Sequence, residues 1–232
     1  MKQAYAQYLI DKTRSDYNLI GEHFSNTRKF VWRDSVYLKK FCSQGDKVLD
    51  LGCGNGRLLE LLADLKIDYR GIDSSETLID LAVKDYPEKS FSLADVLNLP
   101  LAENSFDKVF SIAVLHHIPS DELRLRFFSE CQRVLKPKGL LILSVWNLKQ
   151  KRFRKYSRKF FLRKICGLSK LDFNDIFYPW KNQQGKILVQ RYLHKFSIAE
   201  LIRLAEKSGL EIEESGFLPG KRNLYLAVRK SL

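Results

Sequence analysis

From residue 45 onward the apolar positions of the chain change period again and again. "DKVLDL" (46–51) is a short, nearly continuous apolar run, and "GRLLELLADL" (56–65) then spaces its leucines as one face of a helix. "DYRGID" (68–73) predicts a strand, "SETLIDLAVKDY" (75–86) a helix and "KSFSLAD" (89–95) a short strand. "FDKVFSIAVL" (106–115) is a buried strand, and "SDELRLRFFSECQRVL" (120–135) a helix. The turn "KPKG" (136–139) leads into the strand "LLILSVW" (140–146). Such alternation predicts a parallel sheet with helices on both faces. Near the C-terminus "SIAELIRLAEKSG" (197–209) is a helix with a glycine stop. "LEIEESGFL" and "NLYLAVRK" follow as strands joined through "PGKR", a hairpin signal.

Length and composition narrow the class. A chain of 232 residues, 45% of them apolar, fits one domain with a real core. No stretch approaches the length of a membrane span, and the N-terminus lacks the apolar middle of a signal peptide. Cys42, Cys53, Cys131 and Cys166 form no CxxC pair, so neither a disulfide framework nor a zinc site is expected. No metal is expected, and a cytoplasmic location is the default.

Charge changes the picture more. Forty Lys and Arg against 27 Asp and Glu give +13. Lys149, Lys151, Arg152, Arg154, Lys155, Arg158, Lys159, Arg163, Lys164 and Lys170 follow one another with no acid between them. Phe153, Tyr156, Phe160 and Phe161 interleave at helical spacing, which predicts a basic amphipathic helix. A solvated face packed through its aromatics is the plain reading. RNA is the favoured counter-charge, with Lys151, Arg152, Arg154, Lys155, Arg158 and Lys159 as the contacts, and an anionic membrane surface is the competitor.

"VLDLGCGNGR" supplies candidate chemistry. Gly52, Gly54 and Gly56 lie between a strand and a helix, where backbone can approach a ligand closely. A dinucleotide fingerprint needs glycine at 57, where Arg57 stands. Asp50 precedes the glycines, while Asp73 and Asp95 end the second and third strands. A carboxylate at such an end can accept both ribose hydroxyls or an adenine amino group.

Those segments, with "GIDSS", "ADVLNLP", "FDKVFSIAVLHHI" and "RVLKPKGLLIL", resemble class I S-adenosylmethionine-dependent methyltransferases over residues 45–146. The resemblance implies a Rossmann-like seven-stranded sheet, mostly parallel with the last strand antiparallel. It places Asp50, Gly52, Gly54 and Asn55 at the methionine end of the cofactor and Asp73 and Ser74 at the ribose. Asp95 and Val96 would meet the adenine, and Ala113 the sulfonium side. The Asn/Asp-Pro-Pro-aromatic stretch of adenine-N6 methylation is missing, since "SIAVLHH" stands there. No cysteine follows Pro or Thr, as a cytosine-C5 nucleophile does.

"YNLIGEHFSNTRKFVW" (17–32) is more specific. It resembles the Y-x-x-I-A-x-H-F-S-x-T-R-x-x-x-W-P signature of tRNA wobble-uridine carboxymethyl methyltransferases. Tyr17, Ile20, His23, Phe24, Ser25, Thr27, Arg28 and Trp32 match it, while Gly21 replaces Ala and Arg33 replaces Pro. "VWN", "DIFYPWK", "QRYLHKF" and "RNLYLAVRK" extend the likeness. It implies transfer of a methyl group to the carboxylate of 5-carboxymethyluridine in the tRNA anticodon stem-loop. Such a nucleophile is already ionised at neutral pH. Arg28 and Arg191 are the candidate clamps, with His194 and Lys181 beside them. Arg28 could instead meet the cofactor's own carboxylate. Trp180, Tyr192 and Phe196 are core or stacking residues, and His116 a wall of the cofactor pocket. Eukaryotic members work with a small zinc-binding activator, and such a partner is left open here. The chain is thus read as one methyltransferase domain, 1–232, with a helical cap (1–44) and a basic substrate-binding insert (147–190). A small-molecule O- or C-methyltransferase of quinone or polyketide type shares the central motifs, and a non-catalytic RNA-binding chain is the third class.

Overall fold

The computed structural model describes residues 1–28 and 33–232, so Trp32 of the motif lies outside the described residues. A seven-stranded sheet forms the centre, in the order β3-β2-β1-β4-β5-β9-β8. Strands β1 (Lys47–Leu51), β2 (Asp68–Asp73), β3 (Ser90–Leu93), β4 (Phe106–Ile112) and β5 (Leu135–Trp146) pair in parallel. β9 (Asn223–Lys230) runs antiparallel between β5 and β8 (Leu210–Phe217). The terminal hairpin therefore enters the sheet with its second strand inside.

Alternate residues of each central strand feed opposite cores, as a pleat of period 2 requires. Leu49, Leu51, Leu141 and Leu143 pack with α4 (Asp121–Val134) and α6 (Ile198–Lys207). Val48, Leu140 and Ile142 pack with α2 (Leu58–Leu61) and the 3-10 helix Arg33–Phe41. Burial on both faces explains why these strands read as unbroken apolar runs.

Two local expectations change. The helix expected over 56–65 holds regular α geometry only at Leu58–Leu61, with turns on either side. The turn expected at 136–139 is built into the start of β5. Lys138 has φ 66° there, and pairing with β4 shifts register between Phe106 and Lys108.

Helix α1 (Gln3–Thr27) lies across the carboxyl ends of the strands. A Cβ on Gly21 would come within 2.7 Å of Thr77 Cγ2 on α3 (Glu76–Asp85), so the two helices touch at bare backbone. The segment expected as the insert, 147–190, ends inside a strand: residues 147–194 hold α5 (Arg154–Ile165) and an antiparallel ribbon, β6 (Asp175–Lys181) with β7 (Ile187–His194). Leu148 and Phe153 pack on Ile176 and Leu193, while Ile20 of α1 meets Trp180 and Val189. The ribbon is thereby wedged between α1 and α5.

The basic segment is anchored by three of its four aromatics: Phe153, buried in the 3-10 turn just before α5, and the half-buried Tyr156 and Phe160 of α5 itself. Phe153 and Tyr156 meet Tyr178, and Phe160 meets Phe177, whereas Phe161 is 52% exposed. A buried Phe stabilises by roughly 1.5–3 kcal/mol. A like-charged pair four residues apart, such as Arg154 and Arg158, costs a few tenths. Packing wins, so α5 folds without any polyanion and its charge remains available to a partner.

Candidate active site

A cavity of about 310 Å³ opens beneath α1, at the carboxyl ends of β1 to β5. Its volume is at the lower end of the range for a single small-molecule ligand. The β1–β4 junction, where the order of connection reverses, is the usual ligand crevice of such sheets. Asp50, Gly52, Gly54, Asn55, Asp73, Ser74, Asp95, Val96 and Ala113 all line it.

Local geometry explains these types. Gly52 has φ 79°, and a Cβ there would sit 2.3 Å from Val114 Cγ2, so no other residue fits the turn. Asp73 accepts N–H bonds from Gly54 at 2.9 Å and Ser75 at 2.8 Å, which fixes its carboxylate at the end of β2. Asp95 accepts one from Leu97 at 2.9 Å. Asp50 is 2% exposed and accepts the Tyr69 hydroxyl at 2.8 Å; burial pushes its carboxyl up to about 7. Asn55 gives its amide N–H to Ser25 Oγ at 3.1 Å, while its buried carbonyl oxygen has no partner among the described residues. An ammonium group would satisfy that oxygen and Asp50, and a ribose diol the remaining lone pairs of Asp73. The residues fit S-adenosylmethionine.

The residues of "HFSNTR" divide the remaining work. His23 Nδ1 accepts the indole N–H of Trp180 at 2.9 Å and so ties α1 to β6. Phe24 packs edge-to-face against Tyr17 and reaches the glycine turn, 3.9 Å from where a Cβ of Gly54 would lie. Ser25 holds Asn55, and Thr27 Oγ1 bonds back to the carbonyls of His23 and Phe24 at the end of α1. Arg28 lines the cavity with its guanidinium 5.2 Å from the Trp180 ring.

The other expected site residues fare differently. Arg191 is 3% exposed and does not line the cavity. It stands behind the wall, 5.1 Å from the Trp146 ring and 4.7 Å from that of Trp180, and donates to Tyr17 Oη at 3.4 Å. His194 is farther removed: Nδ1 meets Asp175 at 2.6 Å and Nε2 meets Glu200 at 3.0 Å. Both its nitrogens are engaged in a buried cluster with Arg124, so the expectation that it acts on substrate is revised. Tyr192 and Phe196 are core, and Lys181 is an exposed ribbon end. It is His117, not His116, that lines the cavity; His116 is fully buried against Trp146. Burial holds His116 well below the usual range, and pushes His117 down to about 3. Both are neutral at working pH. Lys151, Arg152, Arg154, Lys155, Arg158 and Lys159 are all exposed, with Arg152 5.7 Å from the Trp146 ring.

The sequence reading missed Tyr17, His117, Trp146 and Arg57 as cavity residues. Tyr17 stands first in the matched motif, and Arg57 left a signal as the charge in place of the third fingerprint glycine. Burial and then the nearby Arg28 lower its guanidinium to about 10, which marks a cationic wall. Among the described residues no group of three or more His, Cys, Asp or Glu is placed to hold a metal ion. No helix among them is long and apolar enough to cross a membrane.

Sheet order, glycine turn and acidic strand ends together define an S-adenosylmethionine-dependent methyltransferase. Residues 49–143 match the family model described as a methyltransferase domain. A methyltransferase from Haloferax volcanii, solved in complex with the Trm112 methyltransferase activator, superposes with a TM-score of 0.65 at 18% identity, covering 95% of this chain and 98% of that one. The tRNA (carboxymethyluridine(34)-5-O)-methyltransferase of Schizosaccharomyces pombe is 30% identical, with 91% of this chain and 93% of that protein covered. The mouse tRNA (carboxymethyluridine(34)-5-O)-methyltransferase ALKBH8 is 37% identical over 136 residues, 58% of this chain. The chain belongs to the tRNA (carboxymethyluridine(34)-5-O)-methyltransferase family. The match spans only 20% of the mouse protein's own length.

Proposed function

We propose that this chain methylates the carboxylate of 5-carboxymethyluridine at the tRNA wobble position, giving the methyl ester. The observation that carries the proposal is Arg28: the last described residue of the matched motif puts a guanidinium into the cofactor cavity. Bound against Asp50, Asn55, Asp73 and Asp95, S-adenosylmethionine supplies an electrophilic methyl group. The chain's own part is alignment. Arg28 holds the carboxylate in line, Arg57 adds positive charge to the same wall, and Arg191 acts from behind through Tyr17. One carboxylate oxygen gains a bond to carbon, the sulfur–carbon bond breaks, and no proton moves.

On this reading the exposed cations of α5 and of the turn before it receive tRNA phosphates. Arg152, beside Trp146, joins that surface to the cavity. The chain then works as a single unit, 1–232, with residues 1–44 as cap and 147–190 as substrate insert. The activator bound to the Haloferax neighbour supports a similar partner here. Strand β3 is an open sheet edge, and Leu93 (55% exposed) and Val83 (46%) leave apolar surface near it. We also place the protein in the cytoplasm, where its four free cysteines stay reduced.

The test is methyl transfer to carboxymethyluridine-containing tRNA at saturating cofactor, from about pH 6 to 8, where a histidine base would titrate. The rate should be flat in the wild type and in His116→Ala. An acid limb that disappears with His116 would mean that a general base is at work and would end the carboxylate mechanism.

A further inference from the structure

We infer that Tyr17 is the residue by which the site tells the positively charged methyl donor from its neutral demethylated product. The inference rests on the methyltransferase class alone and is independent of which acceptor is methylated.

Position comes first. Tyr17 lines the cavity from α1, with its ring 5.5 Å from Phe24 and 5.3 Å from His117. Phe24 touches the glycine turn after β1, and His117 belongs to the turn after β4 that begins at Ala113. The ring thus stands between the two turns, in the wall of the cavity that Asp50 and Asp73 also line.

Direction comes next. The backbone carbonyl of Tyr192, 3.0 Å from His117 Nδ1, can only accept, so Nδ1 carries the ring proton. His117 Nε2 is then a bare lone pair, 2.9 Å from Tyr17 Oη, and takes the hydroxyl proton. His117 stays neutral, so this polarity does not reverse over the working range. The Tyr17 oxygen has no proton left for the cavity. Arg191 occupies one side of it at 3.4 Å, and lone-pair density is what remains for a ligand.

Such an oxygen favours a charged ligand over a neutral one. Arg28 and Arg57 line the same cavity as Asp11, Asp50, Asp73 and Asp95, so a sulfonium entering it meets charge of both signs. The carbons attached to a sulfonium carry polarised hydrogens that a bare lone pair attracts. The thioether of the product has neither the charge nor the methyl group. Weak C–H contacts to oxygen change affinity by roughly two- to fivefold.

Calorimetry at about pH 8, above the titration of Asp50, with S-adenosylmethionine and S-adenosylhomocysteine tests the assignment. Tyr17→Phe should raise Kd for the charged donor by about two- to fivefold and leave Kd for the neutral product unchanged. The unchanged product affinity also reports that the variant is folded. His117→Phe frees the Tyr17 proton to turn toward the cavity, so it should move the ratio of the two Kd values the same way with Tyr17 in place. Equal changes for both ligands, no change for either, or a wild-type ratio in His117→Phe would overturn the inference.

Discussion

Asp50 carries the strongest pH prediction at the scale of single residues. It is buried under the glycine turn with the Tyr69 hydroxyl as its one hydrogen-bond donor among the described residues, and burial raises its carboxyl to about 7. The unfolded value is near 3.9. A folded value above the unfolded one means that the protonated form favours folding. Its contribution is therefore fully present below about pH 4 and is lost as pH rises through about 7. A ligand ammonium beside Asp50 reverses the preference and draws the carboxyl into its ionised form. Cofactor affinity should consequently rise from about pH 6 to above 7 and then level off, with proton release on binding near pH 6. Asp50→Asn should bind more weakly and lose that dependence, and calorimetry in two buffers of different ionisation heat measures both. The flat rate at saturating cofactor is unaffected, because Asp50 acts on binding.

Among the elements, α1 determines whether the cavity is closed, and Gly21 determines how near α1 can come. The family pattern has Ala at this position. Here a Cβ would press on Thr77 Cγ2, and Thr77 cannot swing away freely because its Oγ1 bonds the Asn18 carbonyl at 3.1 Å. Gly21→Ala gains up to about 1 kcal/mol of helix propensity. Overpacking costs about 1–3 kcal/mol. The net effect should be a lower unfolding midpoint, and adding Thr77→Ser, which removes only the offending methyl, should restore it. Denaturant melts of the two variants decide this; a stabilised Gly21→Ala would mean that the helices separate more easily than their contact implies.

Across the whole molecule, the +13 charge gathers on the insert, while the insert is locked to the sheet by polar contacts. Arg124 of α4 donates to Tyr192 of β7 at 3.1 Å, and Tyr192 donates to Asp175 of β6 at 2.8 Å. His194 then bridges Asp175 to Glu200 of α6. The basic surface is held in fixed register with the cavity, so charge on α5 should act on RNA binding and not on cofactor binding. Replacing Lys151, Arg152, Arg154 and Lys155 by Ala removes up to four phosphate contacts, which should flatten the log–log salt dependence of tRNA affinity by roughly 3–4 units. Cofactor affinity should stay as it was. Filter binding over a salt series checks the slope, and vesicle binding stronger than tRNA binding would transfer the surface to an anionic membrane.

Much of this architecture was legible along the chain. Strand and helix periods are local, and so is the link between a glycine turn and the carboxylate before it. Asp50, Asp73 and Asp95 could therefore be assigned to the cavity wall from their places at strand ends. The ribbon could not be read that way. Pro179 stands inside β6, where a proline argues against a strand, and among the described residues the two strands pair only with each other, so no alternation marks them. Nor could the neighbours of the polar side chains be read. His116 and His117 are adjacent in sequence, and only packing against Trp146 on one side and Tyr17 on the other makes the second the cavity residue. Arg191 and His194 lie three positions apart on one strand, yet one backs Tyr17 and the other joins a buried ion cluster. Their partners are more than a hundred residues away in the first case and, in the second, are fixed by how α4, α6 and β6 close around β7. Periodicity sets which face a side chain takes, but what it meets on that face is settled by the distant segments that pack there.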